Sequence, residues 1–168
     1  MDVATQFVLG QSSEMEWNEI SGDFEPDGSY RDILINEVTL VEWQAVIDAV
    51  RKNMPSFEYY AGSKLAEMPQ DISRLFNLGP DEDRSDLYLD FGNGRIKCHF
   101  FSEDQIEFDI DPRDMNAGSL PSLINFMTLL GTVVEKPVSL THEAMPDAEI
   151  LRYMPATGRV DYVGPAFG

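Results

Sequence analysis

Basic residues are scarce in this chain: 12 lysines and arginines stand against 30 aspartates and glutamates, a formal net charge of −18. That imbalance argues against nucleic acid and anionic lipid as partners, because phosphate contacts need Lys and Arg to displace counterions. Cysteine is rarer still. Cys98 stands alone, so no internal disulfide can form, which agrees with a reducing compartment. No apolar run approaches the roughly 20 residues that span a bilayer. The start, Met1-Asp2-Val3-Ala4-Thr5-Gln6, also lacks the basic opening and apolar stretch of a signal peptide. The expected location is therefore the cytoplasm, with no membrane partner. Phosphate loops, dinucleotide fingerprints, nucleophile elbows and His-Glu metal motifs are all missing, and no cofactor is expected.

What is present is globular composition. The 168 residues are 43% hydrophobic and 25% charged, enough for one domain with a real core. No repeat, low-complexity tract or linker marks a boundary, so a single domain over 1–168 is expected, with the place of residues 1–25 left open. The negative charge is uneven. Residues 1–49 hold eleven acids and one base, Arg31, while residues 81–114 hold eleven acids and four bases. An acidic surface keeps a protein dispersed, and it also attracts and steers a basic partner.

Patterning predicts the elements. Phe7-Val8-Leu9 and Met15 to Phe24 read as extended pieces, and Pro26-Asp27-Gly28-Ser29 reads as a turn. Tyr30 to Asn36 then reads as a strand. Thr39-Leu40-Val41-Glu42 is a capping box, opening a helix with Trp43, Val46, Ile47, Val50 and Met54 on one face and Pro55 at its end. Ser56 to Ala61 reads as a strand. Pro69-Gln70-Asp71 opens a short helix carrying Ile72, Leu75 and Phe76, which Gly79-Pro80 stops. Asp81-Glu82-Asp83 reads as a solvated loop.

Residues 85–111 carry the clearest pattern. Leu87, Leu89 and Phe91 alternate with Asp86, Tyr88 and Asp90. After Gly92-Asn93-Gly94, Ile96, Cys98 and Phe100 alternate with Arg95, Lys97, His99 and Phe101. Beyond Ser102-Glu103-Asp104, Ile106, Phe108 and Ile110 alternate with Glu107, Asp109 and Asp111. This predicts a three-stranded antiparallel meander with one apolar and one charged face. Its basic middle strand should sit between two acidic ones, which fixes the strand order, because like charges directly opposite are destabilising.

Ser119-Leu120-Pro121 starts the longest predicted helix, with Leu123, Phe126, Met127, Leu130, Val133 and Val134 on its apolar stripe and Gly131 as a weak point. Pro137 ends it, and Val138-Ser139-Leu140 extends afterward. Ile150 to Tyr153 and Val160 to Val163 form a hairpin around Pro155 to Gly158. The fold class is α+β: an antiparallel sheet of meander plus hairpins packed on two to three α-helices.

Candidate chemistry is thin. Cys98 and His99 are neighbours on a strand, so they point to opposite faces and cannot act as a thiolate–imidazole pair. Cys98 reads as a small buried hydrophobe. His142 has no second ligand at metal spacing. The acids Glu107, Asp109 and Asp111, with Asp86 and Asp90 two strands away, are the candidate partner-binding residues. Arg95, Lys97 and His99 between those strands should neutralise part of this charge. A hard-cation site on these oxygens is conceivable chemistry. Tyr59 and Tyr60 place one ring on each face of their strand, so one of them is available to a partner.

Several stretches resemble a group of small uncharacterised bacterial proteins, some of them similar to immunity proteins of toxin systems. They are Pro26-Asp27-Gly28-Ser29-Tyr30-Arg31-Asp32-Ile33, Thr39-Leu40-Val41-Glu42-Trp43 and Ile106-Glu107-Phe108-Asp109-Ile110-Asp111-Pro112-Arg113. The segments Phe126-Met127, Leu130-Gly131, Lys136 to Thr141 and Ile150 to Gly158 complete the resemblance, which spans about residues 26–163. It implies a bacterial cytosolic protein and carries over no site residue. The expected function is thus a non-catalytic acidic binding protein, of the kind that inhibits a basic toxin. A small carboxylate-dependent, metal-assisted hydrolase and a homo-oligomeric structural protein are the alternatives.

Overall fold

Arg31–Asn36 (β1) is the strand around which the sheet is built, although it comes first in the chain. A computed structural model describes residues 15–54, 56–79 and 84–164. Eight further strands join β1: Phe57–Ala61 (β2), Lys64–Ala66 (β3), Ser85–Phe91 (β4), Gly94–Ser102 (β5), Gln105–Ile110 (β6), Val138–His142 (β7), Met145–Met154 (β8) and Arg159–Tyr162 (β9). Their order is β3-β2-β4-β5-β6-β1-β7-β8-β9, and each neighbouring pair is antiparallel. Three helices pack on this open sheet: Trp17–Ile20 (α1), Leu40–Asn53 (α2) and Leu120–Val134 (α3). The fold is α+β, as the pattern predicts.

The meander follows its alternation closely. In β4 and β6 the apolar positions Leu87, Leu89, Ile106 and Phe108 are fully buried, while the residues between them are half-buried or exposed. The capping box of α2 is present in full. Glu42 N–H donates to Thr39 Oγ1 at 3.2 Å and Thr39 N–H donates to Glu42 Oε1 at 3.0 Å, a cap that contributes about 1 kcal/mol. Trp43, Val46, Ile47 and Val50 are buried beneath it. Trp43 lies against the rings of Phe76 and Phe100, with centroids 5.2 and 5.4 Å away. Its indole N–H donates to the Ser102 carbonyl at 3.1 Å, so this buried polar atom is satisfied.

Arg31 is the one base of residues 1–49 and is only 1% exposed. Its guanidinium donates to the carbonyls of Asp23, Glu25 and Tyr30 and to Ser29 Oγ, and reaches Asp27 at 3.4 Å. It therefore ties the loop before β1 onto the sheet.

Two readings need correction. Met15 to Phe24 is α1 followed by a 3-10 turn, Ser21–Phe24, rather than extended chain. The spacing of Trp17, Ile20 and Phe24 is helical. Ile20 is fully buried, and the Trp17 and Phe24 rings lie 5.4 Å apart. The short helix after Pro69 is present as a 3-10 helix, Ile72–Phe76, opened by Asp71 accepting from Ser73 N–H. The exposed edge strand β3 was not anticipated. Ser119 is the N-cap residue of α3, but its side chain makes no cap hydrogen bond; Asn116 Oδ1 accepts from Gly118 and Ser119 N–H instead. Gly131, poor in helix propensity, stands in tight contact with Tyr153. Phe7-Val8-Leu9, Pro55, Pro80 and Asp81-Glu82-Asp83 lie outside the described residues.

Candidate functional site

Helices α2 and α3 pack on one another, and α3 lies over β7, β8 and β9. The apolar side of the meander faces this layer, so its charged side forms the other face of the sheet. There β5 lies between β4 and β6, and β6 lies against β1. Register sets who meets whom. Lys97 is opposite Tyr88 on one side and Asp109 on the other, and His99 is opposite Asp86 and Glu107. Across the next ladder Asp109 is opposite Asp32.

The basic middle strand does neutralise part of the acid surplus, and it does so through particular pairs. Lys97 Nζ lies 3.6 Å from Asp86, Arg95 pairs with Glu58, and His99 Nε2 hydrogen-bonds Asp109. Phe101 stacks on the His99 ring at 4.6 Å and is itself 61% exposed. Arg95 and Lys97 also stand over the Tyr88 ring, at 5.3 and 5.6 Å.

A groove of about 820 Å³ opens on this face, between the β4–β5 hairpin and the loop around Glu143. Its carboxylates are Asp90, Asp109, Asp111, Asp114 and Glu143. Its cations are Arg95 and Lys97, and the imidazole of His99 and the rings of Tyr30 and Tyr88 complete the walls. Arg95 and Lys97 are paired with acids outside the groove, Glu58 and Asp86. Asp90, Asp114 and Glu143 have no ion pair among the described residues. The groove therefore keeps negative charge that the chain does not itself neutralise.

Two carboxyls beside this groove are held in an uneasy state. Burial pushes the Asp32 carboxyl up from its ordinary value, and the like charges of Asp109 and Glu143 add to that. The Ala144 N–H, donating to Asp32 Oδ2 at 3.0 Å, pulls the other way. Glu107 is also raised, first by burial and then by Asp32. Asp111 is lowered instead, because it accepts from the Arg113 side chain and its backbone N–H.

Of the expected partner-binding residues, Asp90, Asp109 and Asp111 line the groove together. Asp86 and Glu107 share its face without lining it. Tyr60 lies on that face too, its hydroxyl donating to Glu58 and its ring edge-on to Tyr88 at 5.7 Å. Tyr59 is a correction. It is 5% exposed, pairs in register with the core residue Leu87, and shares a hydrogen bond with Ser85 Oγ, so it is closed to a partner. Tyr30, Tyr88, Asp114, Glu143 and Asp32 were not singled out in advance. Tyr88 was visible in the alternation of β4, while the other four are placed by long-range pairing and by loops.

Cys98 is wholly buried on the apolar side, which pushes its thiol well above the ordinary value and leaves it inert. Among the described residues, no group of three or more His, Cys, Asp or Glu side chains is arranged to hold a metal ion. No helix among them is long and apolar enough to cross a membrane.

Fold and site together define a class: an α+β protein whose open antiparallel sheet is covered by helices on one face and presents an acidic, tyrosine-walled groove on the other. Comparison with protein-family models, curated proteins and solved structures finds no match to this chain.

Proposed function

We propose that this is a non-catalytic acidic binding protein whose charged sheet face covers a basic protein, in the manner of an immunity-type inhibitor of a bacterial toxin. The observation that supports it is the groove, where five carboxylates meet two permanent cations that are both satisfied from outside it. A surface of this kind raises the encounter rate with a positive partner by roughly tenfold to a thousandfold at low salt. The whole-chain charge of −18 works in the same direction. The resemblance of residues 26–163 to immunity-like bacterial proteins is consistent with such a partner.

The test is stopped-flow association of the full chain with a basic toxin encoded beside its gene, over a range of ionic strength. The association rate should fall at least about tenfold from low to high salt. Converting Glu107, Asp109 and Asp111 to their amides should chiefly slow association and leave dissociation little changed. A rate indifferent to salt, or no complex at all, would refute the reading.

A further inference from the structure

We infer that the groove selects arginine over lysine in the basic protein that it receives, an inference that rests on the partner-binding reading above. Two recognition modes for a guanidinium are already built into the groove walls and are used by the chain's own arginines. Asp111 holds Arg113 in a fork: Arg113 Nε donates to Asp111 Oδ1 and Oδ2 at 3.2 and 3.1 Å, and Nη2 donates to Oδ2 at 2.7 Å. Tyr88 carries the Arg95 guanidinium over its ring at 5.3 Å and the Lys97 ammonium at 5.6 Å, so the discrimination between the two falls to the carboxylate forks and to the ring that is still free.

Tyr30, the second ring of the groove, is 45% exposed and carries no cation over its face among the described residues. Tyr30 and Asp111 also line an adjoining cleft of about 200 Å³ beside Arg113, so ring and carboxylate stand together at one end of the groove. Asp114 and Glu143 supply carboxylates that make no ion pair among the described residues. The arrangement of an exposed ring beside the Glu143 carboxylate, which accepts from the Tyr30 N–H at 3.2 Å and has no ion pair among the described residues, suits a planar, weakly hydrated cation with several fixed donors. A compact, strongly hydrated ammonium gains the charge attraction and little of the stacking or the fork. A second copy of this chain is a poor occupant, because it brings the same acidic face. The volume of about 820 Å³ admits several side chains of an incoming segment.

The experiment titrates the full chain calorimetrically with oligoarginine and oligolysine peptides of equal length and charge, at low and at physiological salt. The arginine peptide should bind about tenfold tighter. Tyr30→Leu should erase most of that preference while leaving lysine-peptide affinity within about twofold. Glu19→Gln, an exposed acid away from the groove, should change neither. Equal affinity for the two peptides, lowered alike by Asp109→Asn, overturns the arginine preference and leaves partner binding standing. Failure of both peptides to bind even at low salt removes the partner-binding reading itself, and the preference with it.

Discussion

The ring of Tyr153 occupies the space in which a side chain on Gly131 would begin: a Cβ at Gly131 would stand 2.1 Å from Tyr153 Cδ1. Tyr153 is 4% exposed on β8, and Gly131 is in the last half of α3, so this contact sets how closely helix and sheet approach. Gly131→Ala should therefore destabilise the protein by about 1–3 kcal/mol through overpacking. This would occur even though alanine favours an isolated helix by about 1 kcal/mol. Urea denaturation measures it. Adding Tyr153→Leu to the alanine variant should recover part of the loss, and strict additivity of the two changes would contradict the contact.

Stability should fall as pH rises above the ordinary carboxyl range, because two carboxyls are raised in the folded state. Asp32 and Glu107 bind protons more tightly folded than unfolded. Between the unfolded value of about 4 and their raised folded values, the native state thus holds more protons, and unfolding free energy declines with pH. The opposite sign applies further down. Asp27 is lowered to about 2, first by the Ser29 hydroxyl and then by the Ser29 N–H, and Asp71, Asp111 and Glu42 are lowered too. Their contribution is present above about 4 and is lost as pH falls through their folded values. The expected profile has its maximum near the ordinary carboxyl range, at about pH 4. Asp32→Asn keeps an acceptor for the Ala144 N–H and removes the charge facing Asp109, so it should stabilise the neutral-pH protein by up to about 1 kcal/mol. It should also flatten the profile above the ordinary carboxyl range. A destabilised Asn variant at neutral pH would contradict the sign.

Helix α3 ends on Glu135 at φ 54°, a left-handed conformation that a non-glycine residue adopts at a cost. Its N–H still donates to the Gly131 carbonyl at 2.8 Å, so the turn is wanted even though the residue is not ideal for it. Glu135→Gly should stabilise the fold by up to about 1 kcal/mol, after the extra freedom of glycine in the unfolded chain is subtracted. Thermal melting of the two proteins side by side decides it. A lower midpoint for the glycine variant would mean that the Glu135 side chain contributes more than its backbone costs.

The meander was legible because every cue in residues 85–111 agrees: two-residue alternation, a Gly-Asn-Gly turn, and charges that suit only one order of strands. The helix faces of α2 and α3 were legible for the same reason, through a capping box and a broad apolar stripe. The site was only partly so. Ser56 to Ala61 alternates Phe57, Tyr59 and Ala61 with Ser56, Glu58 and Tyr60, so the inward place of Tyr59 was legible locally, and its pairing with Leu87 agrees with it. Asp32 and Asp109 stand far apart in the chain, and nothing local announces that their strands are neighbours. Gly131 reads as a helix defect until Tyr153 is placed beside it. Long-range register is what the sequence does not display, and the groove is made of it.

Asp23 joins three elements, and the join should be visible in the titration of a single tyrosine. Its carboxylate accepts from Tyr162 Oη at 2.7 Å and meets His142 Nε2 at 3.1 Å, while its carbonyl accepts from the buried Arg31. Burial, and then the hydrogen bond to Asp23, pushes the Tyr162 phenol up to about 12. Asp23→Ala removes the acceptor and its charge but leaves most of the burial in place. Tyr162 should therefore ionise at a lower pH than in the parent, though still above an ordinary tyrosine, because the larger of the two causes persists. The ultraviolet absorbance of tyrosinate follows this directly, with Tyr162→Phe in the parent identifying the step. The loop before β1 should loosen at the same time, at a cost of about 1–3 kcal/mol for the polar groups left without partners. Unchanged ionisation in the alanine variant would mean that Asp23 does not hold Tyr162 in solution.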